Sequence, residues 1–440
     1  MIQRIAMLSV HTCPLAMLGG KETGGMNVYV RDLSRELGRR GFQVDVFTRS
    51  QNPTVPRVDS LGQNSRVIHV PAGPEAPYDK NLVYDHLPEF VAGVKRFAEE
   101  QGIAYDLIHS HYWLSGWVAH ELRHSWGTPI VQMFHTLGKM KDSVAQRPEE
   151  RETSRRIEAE TQIMAFADRL VAATPLEKAQ MVWLYGADPC KIEVIPGGVD
   201  LSLFRPLSQE KSRQQLGICD RLHMILFVGR IEPLKGIDTL LRAMAIVVKD
   251  FPRWKDEICV CIVGGDASEK PEAINAEMER LQALREELGI SDLVTFLGAQ
   301  AQDTLPSYYS AADVVVVPSH YESFGMVALE AMACGTPVIA SKVGGLSFTV
   351  QDGITGFHVP ERDPEALARK ISLLLKDHDL RSRLGAQAAQ WARCYSWSKV
   401  ADQVVSLYRR LVPERVAQTY YCCGRGAVVA VESAKRGDFD

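Results

Sequence analysis

Two basic residues, Arg230 and Lys235, stand just after an apolar run, Met224–Val228, that is typical of a buried β-strand. Ligands of open α/β sheets bind at the carboxyl ends of the strands, which is where these two cations should lie. Arginine grips a phosphate through paired hydrogen bonds, and lysine adds a point charge. The pair could neutralise the charge that grows on a departing diphosphate, as a metal ion would. Two solvated loop charges are the alternative interpretation.

A second candidate anion site is the glycine-rich loop Leu18–Asn27, which follows the first apolar run and precedes a predicted helix. The first turn of a helix offers unpaired N–H groups and the positive end of its dipole to an anion. Gly24 and Gly25 would let the backbone approach a diphosphate without a Cβ clash. The loop lacks the spacing of the dinucleotide-binding and P-loop motifs. A simple surface connection between strand and helix remains equally compatible with it.

Two carboxylates, Glu322 and Glu330, follow the apolar run Val314–Val317. We predict that a helix begins at about Ser323, which would place Glu322 at its N-terminus and Glu330 about two turns further on. The two could form the acid/base pair of a glycosidase. They suit hydroxyl recognition better, with one carboxylate on a sugar and the other on a ribose. Helix capping plus a surface glutamate is the plainer alternative.

The elements that position these residues are predicted from the sequence pattern. Short runs rich in β-branched residues alternate with stretches of helical periodicity. Such alternation predicts a mostly parallel sheet with helices on both faces. The pattern restarts after the segment Pro196–Pro206, and 440 residues are too many for one ordinary core. We therefore predict an α/β protein with two Rossmann-like, doubly wound lobes that face a central cleft. The predicted bounds are 1–195 and 196–391 for the lobes, with a helix at about 392–412 that returns to the first lobe, and 413–440 for a tail.

The predicted strands of the first lobe are Ile5–Val10, Gln43–Thr48, Arg66–Val70, Leu107–Ser110, Pro129–Phe134, Arg169–Ala173 and Ile192–Ile195. Those of the second are Met224–Val228, Ile258–Val263, Leu293–Phe296, Val314–Val317, Pro337–Ser341 and Gly356–Val359. Amphipathic helices are expected between them, for example at Asn27–Gly38 and Glu89–Glu100.

Composition excludes several classes of protein. The formal net charge is −4, without a basic block, so neither nucleic acid nor an anionic membrane is an expected partner. No apolar run reaches about 18 residues, so no membrane insertion is expected. The nine cysteines show no zinc-binding spacing and are read as reduced thiols of a cytoplasmic protein. The first ten residues lack the features of a signal peptide and indicate a buried strand.

Taken together, the motifs resemble those of the retaining glycosyltransferases of family 4, which have the GT-B fold. The resemblance is carried by Thr23–Val30, by Gly229-Arg230 with Lys235-Gly236, and by the Glu-x7-Glu pattern of Glu322–Glu330. Each motif is common singly, but all three in this order and at these separations are specific. The resemblance covers roughly residues 3–411.

The resemblance implies roles for the matching positions. A nucleotide sugar, such as a UDP-sugar, would be the donor. Its binding residues would be Gly24, Gly25, Arg230, Lys235, Glu322, Phe324, Gly325, Met326 and Glu330. The residues closest to the chemistry would be His135, Arg230, Lys235 and Glu322. The reaction would retain the anomeric configuration, and catalysis would depend on positioning and charge stabilisation, without a protein nucleophile, a metal or another cofactor.

Two subfamilies are similar to this sequence in the residues that would meet the acceptor. In the transferases that act on inositol 3-phosphate, a Lys, a Tyr, a Thr and an Arg bind the acceptor phosphate. The corresponding positions here are Lys80, Tyr112, Thr136 and Arg155, with Asn27 beside the acceptor ring. The stretches His135–Lys141 and Arg155–Glu160 look more like sucrose-phosphate synthases, which transfer glucose from UDP-glucose to fructose 6-phosphate.

A phosphorylated acceptor, either a sugar phosphate or a polyol phosphate, is therefore expected. The preferred prediction is fructose 6-phosphate, giving sucrose 6-phosphate. The alternative is transfer from UDP-N-acetylglucosamine to inositol 3-phosphate. Two other classes of protein are alternatives. One is a UDP-sugar 2-epimerase, for which no carboxylate set for C2 proton transfer is identified. The other is a non-catalytic nucleotide-sugar sensor, although the expected catalytic positions are all filled.

Overall fold

The computed structural model describes residues 2–16, 23–265 and 276–412. The tail 413–440 and the first part of the glycine-rich loop, residues 17–22, lie outside this range. Within it the chain forms two parallel sheets, each flanked by helices, in the predicted α/β arrangement of two Rossmann-like lobes.

The first lobe contains an eight-stranded sheet with the order β3-β4-β2-β1-β5-β6-β7-β8. Its strands are β1 (Arg4–Leu8), β2 (Gln43–Arg49), β3 (Val58–Gly62), β4 (Ser65–Val70), β5 (Leu107–His111), β6 (Ile130–Met133), β7 (Arg169–Ala172) and β8 (Ile192–Val194). All pairings are parallel except that of β3 with β4. The sequence does not predict β3, because only Leu61 of its five residues is buried.

Seven helices of the first lobe connect these strands. They are α1 (Gly25–Arg39), α2 (Lys80–Val83), α3 (Leu87–Glu100), α4 (Tyr112–Trp126), α5 (Gly138–Val144), α6 (Ser154–Phe166) and α7 (Pro175–Tyr185). Alternate residues of β1 enter different cores: Met7 joins the core on the side of α1, and Leu8 joins the core on the side of α4. Such burial on both faces is what a parallel sheet requires.

The second lobe contains a six-stranded, fully parallel sheet with the order β11-β10-β9-β12-β13-β14. Its strands are β9 (His223–Val228), β10 (Ile258–Val263), β11 (Val294–Gly298), β12 (Val314–Val317), β13 (Val338–Ser341) and β14 (Gly356–Val359). The helices that follow the first lobe are α8 (Gln209–Leu216), α9 (Ile237–Asp250), α10 (Ala276–Glu287), α11 (Leu305–Ala311), α12 (Met326–Ala333), α13 (Leu346–Thr349), α14 (Pro364–Lys376), α15 (His378–Ala392) and α16 (Trp397–Leu411).

Helix α16 leaves the second lobe and packs against α1 of the first. Its Tyr408 hydroxyl lies 2.6 Å from Nδ1 of His109, in the buried middle of β5. The ring of Trp397 meets the edge of Tyr29 at 5.3 Å between centroids. Gly198 passes so close to Trp397 that a Cβ there would lie 2.5 Å from the indole. The linker between the lobes is therefore pressed against the helix that returns.

Candidate functional site

The two lobes touch across the carboxyl ends of their strands, where the sequence places the candidate residues. The Ser323 hydroxyl of the second lobe donates to the backbone carbonyl of His135 in the first. On α1, the Arg31 guanidinium donates to the side-chain oxygen of Gln302, at 2.6 Å. The structure therefore holds both halves of the proposed site in one narrow cleft.

The glycine loop of the first lobe is braced by Asn27, which is only 1% exposed. The Asn27 carbonyl oxygen accepts from the N–H of Gly24 at 2.9 Å, and its amide nitrogen donates to Thr12 Oγ1 and to the Cys13 carbonyl, both at 2.7 Å. Both ends of this side chain therefore position the loop before α1. We expected Asn27 beside an acceptor ring, and the structure shows it acting on the glycine loop.

Gly24 and Gly25 face the second lobe directly. A Cβ on Gly25 would lie 3.3 Å from Met326 Cγ, and one on Gly24 would lie 3.8 Å from Arg230 Nε. A side chain at Gly25 would therefore require the Met326 side chain to shift by a few tenths of an ångström. The loop and Arg230 thus border the same small space, as an anion shared between the lobes would require.

Lys235 reaches the cleft because a one-turn 3-10 helix, Pro233–Lys235, ends at Gly236 in a left-handed conformation with φ 65°. A Cβ at Gly236 would lie 2.1 Å from the Pro318 carbonyl, so only glycine fits there. The Lys235 ammonium then lies 2.7 Å from the Glu322 carboxylate. Arg230 makes its own ion pair with Glu232, at 3.0 Å.

The segment that carries Glu322 is a loop and not the start of a helix. We predicted a helix from about Ser323, but α12 begins at Met326 and is preceded by Gly325 with φ 93°. Two contacts hold the loop open: the N–H of Gly345 donates to the Glu322 carbonyl at 2.7 Å, and the Thr349 hydroxyl donates to the Phe324 carbonyl at 2.6 Å. The unpaired N–H groups of α12 therefore point to the cleft from a position three residues later than predicted.

Glu330 lies inside α12 and is 5% exposed. Its carboxyl accepts from the Tyr309 hydroxyl at 2.8 Å, and Asp32 and Arg31 of the first lobe are near enough to affect its charge. Burial raises the pKa of Glu330 to about 7. The group is therefore poised between its two protonation states near neutral pH, which is unusual for a glutamate and typical of functional sites.

His135 follows β6 in a left-handed conformation, with φ 63°. A non-glycine residue pays about 1 kcal/mol or more for this backbone, and such strain is found mostly at functional sites. Burial lowers the pKa of His135 to about 3, so its ring is neutral. Its Nε2 lies 2.9 Å from Nδ1 of His111, a buried residue that the sequence interpretation did not single out.

Arg156 contacts both Tyr112 and Thr136, two residues of the predicted acceptor site. Tyr112 is the second strained residue of the cleft, with φ 74°. The Arg156 guanidinium lies 4.8 Å from the centre of the Tyr112 ring and donates to Thr136 Oγ1 at 3.0 Å. It is fully buried and forms ion pairs with Glu152 at 2.8 Å and Glu160 at 2.7 Å. Arg156 thus orients the tyrosine and the threonine that were predicted to meet the acceptor.

Arg155, which was predicted to complete this group, points elsewhere. Its side chain is 55% exposed, contacts Asp85 at 3.5 Å and lies over the Tyr84 ring at 4.8 Å. Adjacent residues of a helix cannot share a face, so burial of Arg156 turns Arg155 outward. The arginine that the structure places beside Thr136 is therefore Arg156.

Lys80, at the start of α2, lines a cleft of about 300 Å³ between the lobes. The first lobe contributes Lys80, Lys141 and Glu152 to its walls, and the second contributes Glu232, Leu234 and His320. Burial opposes ionisation of Glu152, but Arg156, Lys141 and Lys80 together lower its pKa to about 2. Lys80, Lys141 and Arg156 therefore all act on the Glu152 carboxylate at this wall of the cleft.

The part of the chain that the structure describes contains neither a candidate metal cluster nor a candidate membrane-spanning helix. There, three or more His, Cys, Asp or Glu side chains do not converge in a way that could hold a metal ion. Among the same residues, no helix combines the length and apolar character that a bilayer crossing needs.

Several residues of the site could not be found from motifs. His111, Tyr309 and Arg156 act on other site residues from inside the fold, and each reads in the sequence as an ordinary core or helix residue. The pair Gly344-Gly345 supports the loop of Glu322: a Cβ on Gly344 would lie 2.0 Å from the Glu322 carbonyl. The doubled glycine after β13 was the one available signal.

A cleft between two Rossmann-like lobes, with glycine amides on one side and two cations and two carboxylates on the other, defines a nucleotide-sugar glycosyltransferase of the GT-B class. Family models agree with this class. Residues 23–203 match the model described as Glycosyltransferase Family 4, and residues 208–391 match the model described as Glycosyl transferases group 1. The chain belongs to the retaining family 4 glycosyltransferases and is a hexosyltransferase.

Curated relatives narrow the comparison. A D-inositol 3-phosphate glycosyltransferase of Thermomonospora curvata is 43% identical over 415 residues, covering 92% of this chain and 95% of the relative. A protein of the same name from Acidothermus cellulolyticus is 42% identical, covering 94% and 91%. Among solved structures, a sucrose-phosphate synthase from Thermosynechococcus elongatus is 38% identical with a TM-score of 0.85, covering 93% of this chain and 99% of that one.

Proposed function

We propose that this enzyme transfers a sugar, N-acetylglucosamine in the first instance, from its UDP derivative to D-inositol 3-phosphate with retention of configuration. The observation that carries the proposal is the 43% identity, over nearly the whole chain, to a protein of that name. It favours the acceptor that the sequence interpretation ranked second. The group formed by Tyr112, Thr136 and Lys80, with Arg156 orienting the first two, supports it, because hydroxyls and cationic side chains are the groups that bind a phosphate.

On the donor side, Arg230 and Lys235 bind the diphosphate and neutralise the charge that forms as it leaves. Gly24 and Gly25 add backbone N–H groups from the opposite lobe, so the leaving group is held from both sides. Glu322 accepts hydrogen bonds from hydroxyls of the transferred sugar, and Glu330 accepts them from the ribose. Phe324, Gly325 and Met326 supply the N–H groups at the start of α12.

Retention follows when the acceptor attacks from the same face as the diphosphate leaves. The phosphate group of the acceptor is held near Lys80, and this fixes the position of the attacking hydroxyl. The departing diphosphate takes the proton of that hydroxyl, so a protein base is not required. The enzyme's contribution is then positioning and charge stabilisation, which account for large accelerations without covalent chemistry. A metal is not needed for this chemistry.

A second acceptor, fructose 6-phosphate, is favoured by a separate observation. The sucrose-phosphate synthase from Thermosynechococcus elongatus superimposes with a TM-score of 0.85. Both acceptors are polyhydroxylated and carry one phosphate group, and the group formed by Tyr112, Thr136, Arg156 and Lys80 could hold either. With UDP-glucose as donor, this activity would give sucrose 6-phosphate. A cytoplasmic location, where nucleotide sugars are available, is part of either proposal.

The proposal is tested by offering UDP-N-acetylglucosamine, UDP-glucose, ADP-glucose and GDP-glucose separately with inositol 3-phosphate and with fructose 6-phosphate, and by identifying products by mass spectrometry. We expect the N-acetylglucosaminyl inositol phosphate as the main product. Sucrose phosphate as the main product would replace the proposed acceptor by the second one. UDP release at an equal rate without any acceptor would contradict transfer and favour a 2-epimerase.

A further inference from the structure

His111 is the buried neighbour of His135, and the proposed function gives it no role. It ends β5, is 0% exposed, and its Nδ1 lies 2.9 Å from Nε2 of His135. Burial lowers the pKa of both rings well below the usual range. Two neutral imidazoles at hydrogen-bond distance share one proton: one nitrogen donates and the other accepts. The distance alone leaves open whether Nδ1 of His111 or Nε2 of His135 carries the proton.

The surroundings of the second ring nitrogen of His111, Nε2, show which atom carries the shared proton. Its Nε2 lies 2.9 Å from the sulfur of Met7, on β1. A thioether sulfur can accept a hydrogen bond but cannot donate one. An Nε2 lone pair would face the sulfur lone pairs in a dry core, whereas an Nε2–H would be paired there. Because a neutral imidazole carries one proton, Nδ1 of His111 is then the acceptor, and Nε2 of His135 must donate.

We propose that His111 is a positioning residue that fixes His135 in the tautomer with its proton on Nε2, so that Nδ1 of His135 accepts a hydrogen bond from a hydroxyl of the donor sugar. The second part rests on the proposed function, which places the donor sugar beside His135. With Nε2 of His135 engaged, Nδ1 is the nitrogen that a ligand in the cleft can reach.

The surroundings of His135 keep this nitrogen in place. The Ser323 hydroxyl holds its backbone carbonyl, and the edge of Tyr29 packs against its ring at 5.2 Å between centroids. The ring therefore has little freedom to turn over and exchange its two nitrogens. A sugar that places an acceptor atom in place of the hydroxyl at this point would meet a lone pair instead of a proton.

The tautomer can be observed directly by long-range ¹H–¹⁵N correlation spectra of protein labelled with ¹⁵N-histidine, with His135 assigned by loss of its signals in His135→Gln. The spectra need neither donor nor acceptor. We expect a protonated Nε2 and an unprotonated Nδ1 for His135. A protonated Nδ1 as the main form would overturn the proposal, whatever reaction the enzyme catalyses.

Met7→Leu tests whether the Met7 sulfur fixes the tautomer of His135 through His111. This nearly isosteric core substitution removes the acceptor sulfur and is normally tolerated. We expect both tautomers of His135 to appear in this variant, and an unchanged spectrum would contradict the role of the sulfur. His111→Phe should have the same spectral effect, and His111→Asn, whose side-chain oxygen can replace Nδ1 as acceptor, should restore the wild-type tautomer.

Kinetics separate positioning of the sugar from general damage. His111→Phe should lower kcat/KM for the nucleotide sugar by about fivefold, the effect of one neutral hydrogen bond, and leave the affinity for UDP unchanged. An equal loss of UDP affinity would show that His111 has only a structural role. If the spectra agree with the proposal but the enzyme transfers no sugar, the proposed function fails and the tautomer assignment stands.

Discussion

The ammonium of Lys235 lies 2.7 Å from the carboxylate of Glu322, and the two residues follow different strands of the second lobe, β9 and β12. A lysine ammonium has three protons, so Lys235 can hold Glu322 and still offer donors to a diphosphate. Glu322 in turn keeps acceptor sites for sugar hydroxyls. In the proposed mechanism this ion pair joins the leaving group and the transferred sugar into one site.

Glu322→Gln should lower kcat/KM for transfer by about 100-fold or more, because an amide cannot pair with Lys235 and accepts fewer hydrogen bonds in the transition state. Initial rates with saturating acceptor, and a thermal unfolding curve to establish folding, make the measurement. Glu193→Gln is the matched control, since it removes a surface ion pair to Arg410 of 2.7 Å. A rate for Glu322→Gln close to that of the control would contradict the role of Glu322.

Lys80 and Arg155 should differ in their effect on the acceptor. Lys80→Ala should raise the acceptor KM by about tenfold or more, because a charge-assisted contact to phosphate is lost, and should leave the donor KM nearly unchanged. Arg155→Ala should raise it by less than about threefold, since its side chain is half exposed and paired with Asp85. Equal effects of the two substitutions would show that Arg155 contacts the acceptor phosphate as Lys80 does.

We expect Glu330 to make donor binding depend on pH. Burial raises its pKa to about 7, and the ribose hydroxyls pair better with the carboxylate than with the neutral acid. The fraction of carboxylate rises with pH, so UDP-glucose should bind more tightly as pH increases from 6 to 8. Calorimetric titrations at several pH values provide the measurement. Glu330→Gln should bind more weakly and show a flat profile, and an unchanged slope in this variant would assign the pH dependence to another group.

Removal of divalent metals tests the mechanism in another way. We expect EDTA to leave the transfer rate within about twofold, because Arg230 and Lys235 neutralise the leaving diphosphate. A rate that falls to zero and returns with Mg²⁺ would contradict the metal-free mechanism. A control with a metal-dependent transferase under the same conditions shows that chelation is complete.

The sequence predicts most of the fold because parallel strands buried on both faces give continuous apolar runs. Thirteen of the strands described by the structure overlap predicted ones. The edge strand β3 is different, since its exposed residues lack an apolar pattern. The early start predicted for α12 was wrong. Gly325 and the contacts of Gly345 and Thr349 hold the residues before α12 in a loop. Long-range contacts of this kind leave no signal in a local sequence pattern.

The residues proposed to bind the donor could be singled out in the sequence because they lie in short motifs. The residues that orient other side chains could not be singled out in this way. The choice between Arg155 and Arg156 depends on which face of α6 packs against Thr136, and the partnership of His111 with His135 joins two strands, β5 and β6. Neither relationship leaves a spacing in the sequence that differs from ordinary helix or strand composition.

The central claim is that the enzyme binds the phosphate group of its acceptor between the two lobes. The most direct measurement compares kcat/KM for D-inositol 3-phosphate with that for unphosphorylated inositol, with the same UDP-sugar and wild-type enzyme. We predict a preference of about 100-fold or more for the phosphate, since one or two charge-assisted hydrogen bonds are each worth about 1.5–3 kcal/mol. Equal values for the two acceptors would contradict the account.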